Sequence, residues 1–240
     1  MSVGPLEPVP EDWSRALAVV AHPDDLEYGA AAAIARWTHQ GKWVGYVLAT
    51  SGEAGIDALA PAESARVRQA EQRRSAAVVG VRTVEFLAHP DGLVEASIAL
   101  RRDLAVAIRR HRPDVVVSIN YRDHWPGGFN HADHRVVGIA LLDAVRDAAN
   151  RWVFAGAGRE PWAGVRFAVF GGSSEATHFV DVTPTIDRGV ASLREHAQYL
   201  EHLGEGTLGK DPDRFLREMA TQAGAVCGVE CATTFELVAL

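Results

Sequence analysis

The chain has 240 residues and a formal charge of −7. With 48% hydrophobic and 23% charged residues it can bury one sizeable core, which excludes a disordered or fibrous class. An acidic balance without a basic patch argues against a nucleic-acid partner. No run approaches a membrane span and no basic-then-apolar leader opens the chain, so it reads as a cytoplasmic protein.

The first apolar run, "RALAVVA" (15–21), gives way to "EYGAAAAIARWTHQG", a helical stretch expected to start around Leu26 or Glu27. "WVGYVLAT" (43–50) precedes a helix in "PAESARVRQAEQRRSAAVVG", and "VRTVEFLA" (81–88) precedes one in "ASIALRRDLAVAIRRH". "DVVVSIN" (114–120) leads to "HADHRVVGIALLDAVRDAAN". This alternation predicts βαβ units around a mainly parallel sheet, with the Val-rich strands covered on both faces. Beyond it, "VRFAVFGG" and "THFVDV" read as strands, and "PTIDRGVASLREHAQYL" as a helix capped by Thr183 with Pro184 in its first turn. "DPDRFLREMATQAG" reads as a further helix and "TFELVAL" as the last strand. The expected class is therefore α/β: one domain over 1–240, its core about 14–172 and a smaller α+β portion about 173–240. Cys227 and Cys231 read as two incidental thiols, since one pair cannot staple a domain of this size.

Loops are expected in "SGEAGIDALA" (51–60), "RDHWPGGFN" (122–130) and "HLGEGTLGK" (202–210). The first two, with the turn after residue 21, fall at the carboxyl ends of strands, where open α/β sheets bind ligands.

Chemistry-bearing residues crowd two of these strand exits. "AHPDDLEYGA" (21–30) places His22, Asp24 and Asp25 after the first strand, and "FNHADHRVVG" places His131, Asp133 and His134 after the fourth. Pro23 keeps His22 extended, so His22 and Asp25 can turn toward one point. Two adjacent carboxylates repel unless a cation or a charged side chain stands between them. A helix cap explains only one of them. His131 and His134, three apart, face the same side of a first helical turn. Two imidazoles and a carboxylate with an open fourth position suit a catalytic zinc, so His22, Asp25 and His134 are the expected ligands. Asp24 is left beside the ion, where a general base for an activated water belongs. The HExxH helix of many zinc proteases is absent, and no GxGxxG follows the first strand, which weakens a dinucleotide-binding reading.

"AHPDD-x-E" followed much later by "H-x-D-H" resembles the zinc-dependent N-acetylglucosaminyl deacetylases of the PIG-L (LmbE-like) family. The likeness extends to "ATSGEAG" (49–55), to Arg68 and Glu71 in "RQAEQRRSAAVVGV", and to "FLAHPDG" (86–92). It implies a Rossmann-like three-layer sandwich whose C-terminal part completes the pocket. It also implies hydrolysis of an N-acyl group, usually acetyl on an amino sugar, with Zn2+ (or another divalent ion such as Fe2+) on His22, Asp25 and His134 and the base at Asp24. His131 would stabilise the oxyanion, with Asp133 holding its imidazole protonated and oriented. By the same analogy Arg68 and Asp91 would contact substrate hydroxyls; Glu53 is either a substrate contact or a solvated loop charge. Some thiol-biosynthesis members carry a tyrosine where Phe129 stands, which sets their substrate apart. Trp125 reads as buried loop packing, and His196 as either a pocket residue or a histidine in a helix's last turn. The expected partner is a small N-acylated molecule, with no nucleic acid and no membrane, and a homo-oligomer left open. The rivals are a metal-dependent amidase on a non-sugar N-acyl metabolite and a non-catalytic protein that retains a metal.

Overall fold

A computed structural model describes residues 5–240 apart from 126–127, 158, 205 and 208. In chain order the elements are β1 (Glu7–Pro8), β2 (Arg15–Val20), α1 (Asp25–Gly29), α2 (Ala31–His39), β3 (Trp43–Leu48), α3 (Pro61–Val78), β4 (Thr83–Phe86), α4 (Ile98–His111) and β5 (Val115–Ile119). There follow β6 (His124–Trp125), β7 (Gly128–Phe129), α5 (Ala132–Ala149), β8 (Phe167–Gly171), β9 (His178–Asp181), α6 (Ile186–Arg194), α7 (Ala197–His202), α8 (Pro212–Cys227) and β10 (Ala232–Ala239).

One eight-stranded sheet runs β1-β9-β10-β8-β5-β2-β3-β4. The pairs from β8 through β5, β2 and β3 to β4 are all parallel, while β10 runs antiparallel to both β8 and β9. Each central strand sends alternate side chains into two separate cores, as a period of two requires. Ala16, Ala18 and Val20 of β2 pack with Ile34 and Trp37 of α2 and Leu193 of α6. Leu17 and Val19 pack on the other face with Leu104 of α4 and Leu141 of α5. The result is the α/β three-layer sandwich expected, with both faces covered, so its strands read as continuous apolar runs.

The expected helices are present, with three local differences. The first helix begins at Asp25 and is broken at Ala30 into α1 and α2. The helix after β9 has Thr185, not Thr183, at its N-cap position, without a side-chain cap bond; the Thr183 hydroxyl instead accepts the Cys231 backbone N–H at 3.1 Å. It also breaks at His196, giving α6 and α7. Within the expected loop at 122–130, β6 and β7 pair antiparallel on either side of residues 126–127, which lie outside the described residues, and Trp125 is 40% exposed instead of buried. Cys227 and Cys231 are free thiols.

Strand order places the functional edge. From β2 the chain builds β3 and β4 on one side, and β5 and β8 on the other, so the connections reverse direction between β2 and β5. That reversal opens a crevice at the carboxyl ends of adjacent strands. α1 fits tightly there: a Cβ at Gly171 would stand 2.4 Å from the Gly29 carbonyl oxygen.

Candidate metal centre

Two turns fill the crevice. After β2 the chain passes through His22 and Pro23, and Asp24 adopts the left-handed region, with φ 85° and ψ −20°. Its carbonyl then accepts from the N–H groups of Glu27 (2.9 Å) and Tyr28 (3.2 Å), starting α1. After β5, His131 caps α5 from an extended conformation, its Nδ1 accepting the Asp133 backbone N–H at 3.1 Å.

The hydrogen bonds around the two inner histidines fix which nitrogen carries a proton. Asn130 donates its Nδ2 to the carbonyls of Asn120 (2.7 Å) and Arg122 (2.9 Å), so its Oδ1 must be the acceptor facing His134 Nδ1 at 3.0 Å. His134 therefore carries its proton on Nδ1 and presents the Nε2 lone pair. His22 Nε2 faces two carboxylate oxygens, Asp133 Oδ2 at 3.0 Å and Asp91 Oδ1 at 3.1 Å. A proton belongs there, leaving the Nδ1 lone pair free.

These two lone pairs converge with a third donor. His22 Nδ1 lies 3.2 Å from His134 Nε2 and 3.7 Å from Asp25 Oδ1, and His134 Nε2 lies 3.0 Å from the same oxygen. A tetrahedral ion about 2.0–2.2 Å from each ligand separates neighbouring ligands by roughly 3.3–3.6 Å; the three distances bracket that range, so small side-chain adjustments would seat an ion. Without a cation or a shared proton, three such acceptors would repel. Asp25 is further fixed by the His22 backbone N–H, which donates to its Oδ2 at 2.8 Å.

The charges around the site follow from this crowding. Burial opposes a charged His22, but Asp25, Asp133 and Asp91 outweigh it and hold the imidazole well above its ordinary range. Burial also opposes a charged Asp25, yet His134 and His22 pull it below the usual carboxylate range. Asp24 goes the other way: burial, reinforced by the Asp25 charge, raises it against the pull of Arg68. Its Oδ2 is buried without a hydrogen-bond partner.

The remaining expected residues are distributed unevenly. His131 is exposed, with a ring nitrogen within 4.8 Å of those of His22 and His134. Burial, and then the crowding of any positive charge against His22 and His134, lower its pKa. Asp133 does not hold this ring protonated as expected: its carboxylate faces His22 and accepts the backbone N–H groups of Gly92 (2.8 Å) and Val94 (3.2 Å). The geometry reassigns Asp133 to orienting His22. Arg68 is 3% exposed, with its guanidinium 4.0 Å over the Tyr199 ring, hydrogen-bonded to the Pro23 carbonyl and 3.3 Å from Asp24 Oδ1. That leaves it little surface for substrate hydroxyls; it is the charged side chain beside the paired carboxylates. Glu53 accepts the backbone N–H groups of Ser51 (3.1 Å) and Asp91 (2.9 Å), and Asp91 accepts that of Ala54 at 2.8 Å. Together they clamp two loops at the rim. His196 is fully buried, 3.8 Å from Glu27 Oε2, and so is neither a pocket residue nor in a helix's last turn. Sequence reasoning missed Asn130 as the partner of His134, although its place four residues earlier was the available signal. It also missed Tyr199, whose phenol is raised by burial and by the Asp24 charge.

The fold and site define an α/β protein with a candidate mononuclear metal centre at a topological switch point. The chain belongs to the PIG-L family: residues 17–145, more than half its length, match the family described as GlcNAc-PI de-N-acetylase. It is 28% identical over 224 residues to a diacetylchitobiose deacetylase of Thermococcus kodakarensis, covering 90% of this chain and 80% of that one. It is 30% identical over 170 residues to a 1D-myo-inositol 2-acetamido-2-deoxy-alpha-D-glucopyranoside deacetylase of Saccharopolyspora erythraea, covering 60% of each. In fold it is similar to an N,N'-diacetylchitobiose deacetylase from Pyrococcus horikoshii, with a TM-score of 0.85 at 24% identity over 95% of this chain and 85% of that one.

Proposed function

We propose that the chain is a metal-dependent N-deacetylase that removes an acetyl, or another small acyl group, from the amine of an amino sugar. The observation that carries this is the convergence of His22 Nδ1, His134 Nε2 and Asp25 Oδ1, with the orphaned Asp24 carboxylate oxygen buried alongside. Two imidazoles and one carboxylate suit Zn2+, with Fe2+ the other candidate. The relatives named above supply the substrate class. Bound there, the ion supplies water that ionises near neutral pH and a Lewis acid for the acyl carbonyl.

The chain's own residues supply the proton transfers. Asp24 Oδ2 takes the proton of the attacking water, and a carboxylate raised by burial is a better base than an ordinary aspartate. With His131 Nδ1 accepting, the neutral ring carries its proton on Nε2, a donor for the oxygen that becomes negative as water adds. Asp24, carrying the proton taken from the water, then protonates the departing amine while His131 keeps its Nε2 proton on the acyl oxygen. Arg68 keeps Asp24 charged before the reaction, and Asp133 keeps His22 turned toward the ion.

The test is acetate release by metal-loaded protein from N-acetylglucosamine derivatives compared with N-acyl amino acids. Release confined to the amino sugars is expected. Release only from the amino acids would reassign the protein as an amidase of non-sugar metabolites, and no release from either by a fully loaded protein would reject hydrolysis.

A further inference from the structure

Beneath the metal centre, α3 turns a largely polar face inward: Ser64, Arg68, Glu71, Gln72 and Ser75 are buried with only Val67 and Ala76 beside them. Two of these residues, one helical turn apart, grip the same dipeptide. Arg68 donates to the Pro23 carbonyl, and Gln72 Oε1 accepts the Asp24 backbone N–H at 2.9 Å. Asp24 needs such a grip, because φ 85° is a conformation that non-glycine residues keep only where their surroundings impose it.

The direction of the Gln72 amide is itself enforced. Its Nε2 donates at 2.8 Å to Glu27 Oε1, which also accepts from Ser75 Oγ at 2.5 Å. Ser75 Oγ in turn lies 2.7 Å from Ser192 Oγ on α6. A carboxylate only accepts, so the amide nitrogen must face Glu27 and the oxygen must face Asp24. Glu27, 2% exposed, therefore sets the polarity of a bond it does not touch.

The left-handed turn has a chemical use. Asp24 and Asp25 are adjacent, yet one stands at a ligand position and the other has an oxygen free for proton transfer. The backbone reversal at Asp24 is what separates their directions.

We propose that Gln72 is a positioning residue for deacetylation, its side-chain oxygen holding the Asp24 amide so that the carboxylate is aimed at the attacking water. Glu27 and Ser75 fix the direction of that hold. This rests on the deacetylase reading above, so the experiment measures the Asp24 backbone as well as turnover. Gln72→Met keeps the length and removes the acceptor. Gln72→Glu sets two carboxylates against each other, and Glu27→Gln added to it restores a donor facing an acceptor.

In metal-loaded protein, Gln72→Met is expected to lower kcat on the order of 10- to 100-fold, with KM and metal content close to wild type. Amide hydrogen exchange of Asp24, read by NMR, is expected to accelerate in the same variant. Gln72→Glu is expected to be impaired, and the double variant Gln72→Glu/Glu27→Gln to recover most of the loss in kcat and in Asp24 exchange protection, as the direct contact between the two side chains requires. The proposal is overturned by wild-type kcat in Gln72→Met. Parallel loss of metal, melting temperature and KM would also overturn it, because Gln72 would then serve folding alone. If wild-type protein releases no acetate, the deacetylase reading fails separately and exchange decides: unchanged Asp24 protection in Gln72→Met overturns the positional claim, and lost protection upholds the grip.

Discussion

The two strand exits that meet at the candidate metal centre are built in opposite ways. The turn after β2 is sunk into the protein, with Asp24 5% and Asp25 6% exposed, and one residue is held at positive φ by a helix behind it. The turn after β5 is an ordinary extended N-cap whose residue, His131, faces solvent beside the β6–β7 pair bearing the 63% exposed Phe129. In the proposed mechanism each contributes one histidine to the ion position, and beside it the inner turn supplies the base and the outer turn the donor to the oxyanion. The difference teaches a division that the proposed mechanism would use: a braced inner wall for the proposed base and the ligand carboxylate, and an open outer wall on the side left for substrate.

Substitutions can break that contrast. Asp24→Ala, on the inner wall, is expected to give the largest loss, about 10²- to 10⁴-fold in kcat, with the ion retained. Acetate release and elemental analysis on the same sample check both halves. A variant that lost its metal would mean the inner wall cannot separate base from ligand. Asp133→Asn, on the outer turn, acts through His22 and is expected to weaken metal affinity by about 10- to 100-fold, measured by competition with a chelator. If instead turnover fell with affinity unchanged, Asp133 would belong with His131 after all.

Acidity sharpens the comparison further. His22 is held above its ordinary 6.5 in the metal-free chain, so the stability it contributes is fully present below that pH and is lost as pH rises through its raised value. A bound ion requires the deprotonated ring and strengthens with rising pH. The melting temperatures of stripped and loaded protein should therefore diverge as the buffer goes from about pH 6 to pH 9. Converging curves would show that no proton occupies the ion's place. The smallest effect is expected for Phe129→Tyr, within about 0.5 kcal/mol in stability by chemical denaturation, because the ring is exposed.

The sheet was legible because its strands are apolar runs of the right length, and the meeting of His22, Asp25 and His134 was legible because both histidine-and-acid clusters followed such runs. What escaped prediction depends on contacts distant in sequence. The Asp133 carboxylate pairs with His22, 111 residues away, and not with the ring of His131 two positions before it. Arg68 looks like a surface residue on a weakly amphipathic helix, since the polar groups that bury it come from Pro23, Asp24 and Tyr199. α4 was easier to read, its inward residues being Leu100, Leu104 and Ile108 in helical register. A helix that braces a site with polar atoms carries no hydrophobic stripe by which to recognise its inner face.

The position of β10 has a consequence for how the molecule comes into being. Residues 232–239 lie between β8 and β9, and β1 joins the sheet only through β9. During translation the five parallel strands can associate first, but a raw backbone border along β8 stays open until the last strand emerges. That seam is where a nascent or shortened chain is most exposed to pairing with a stranger.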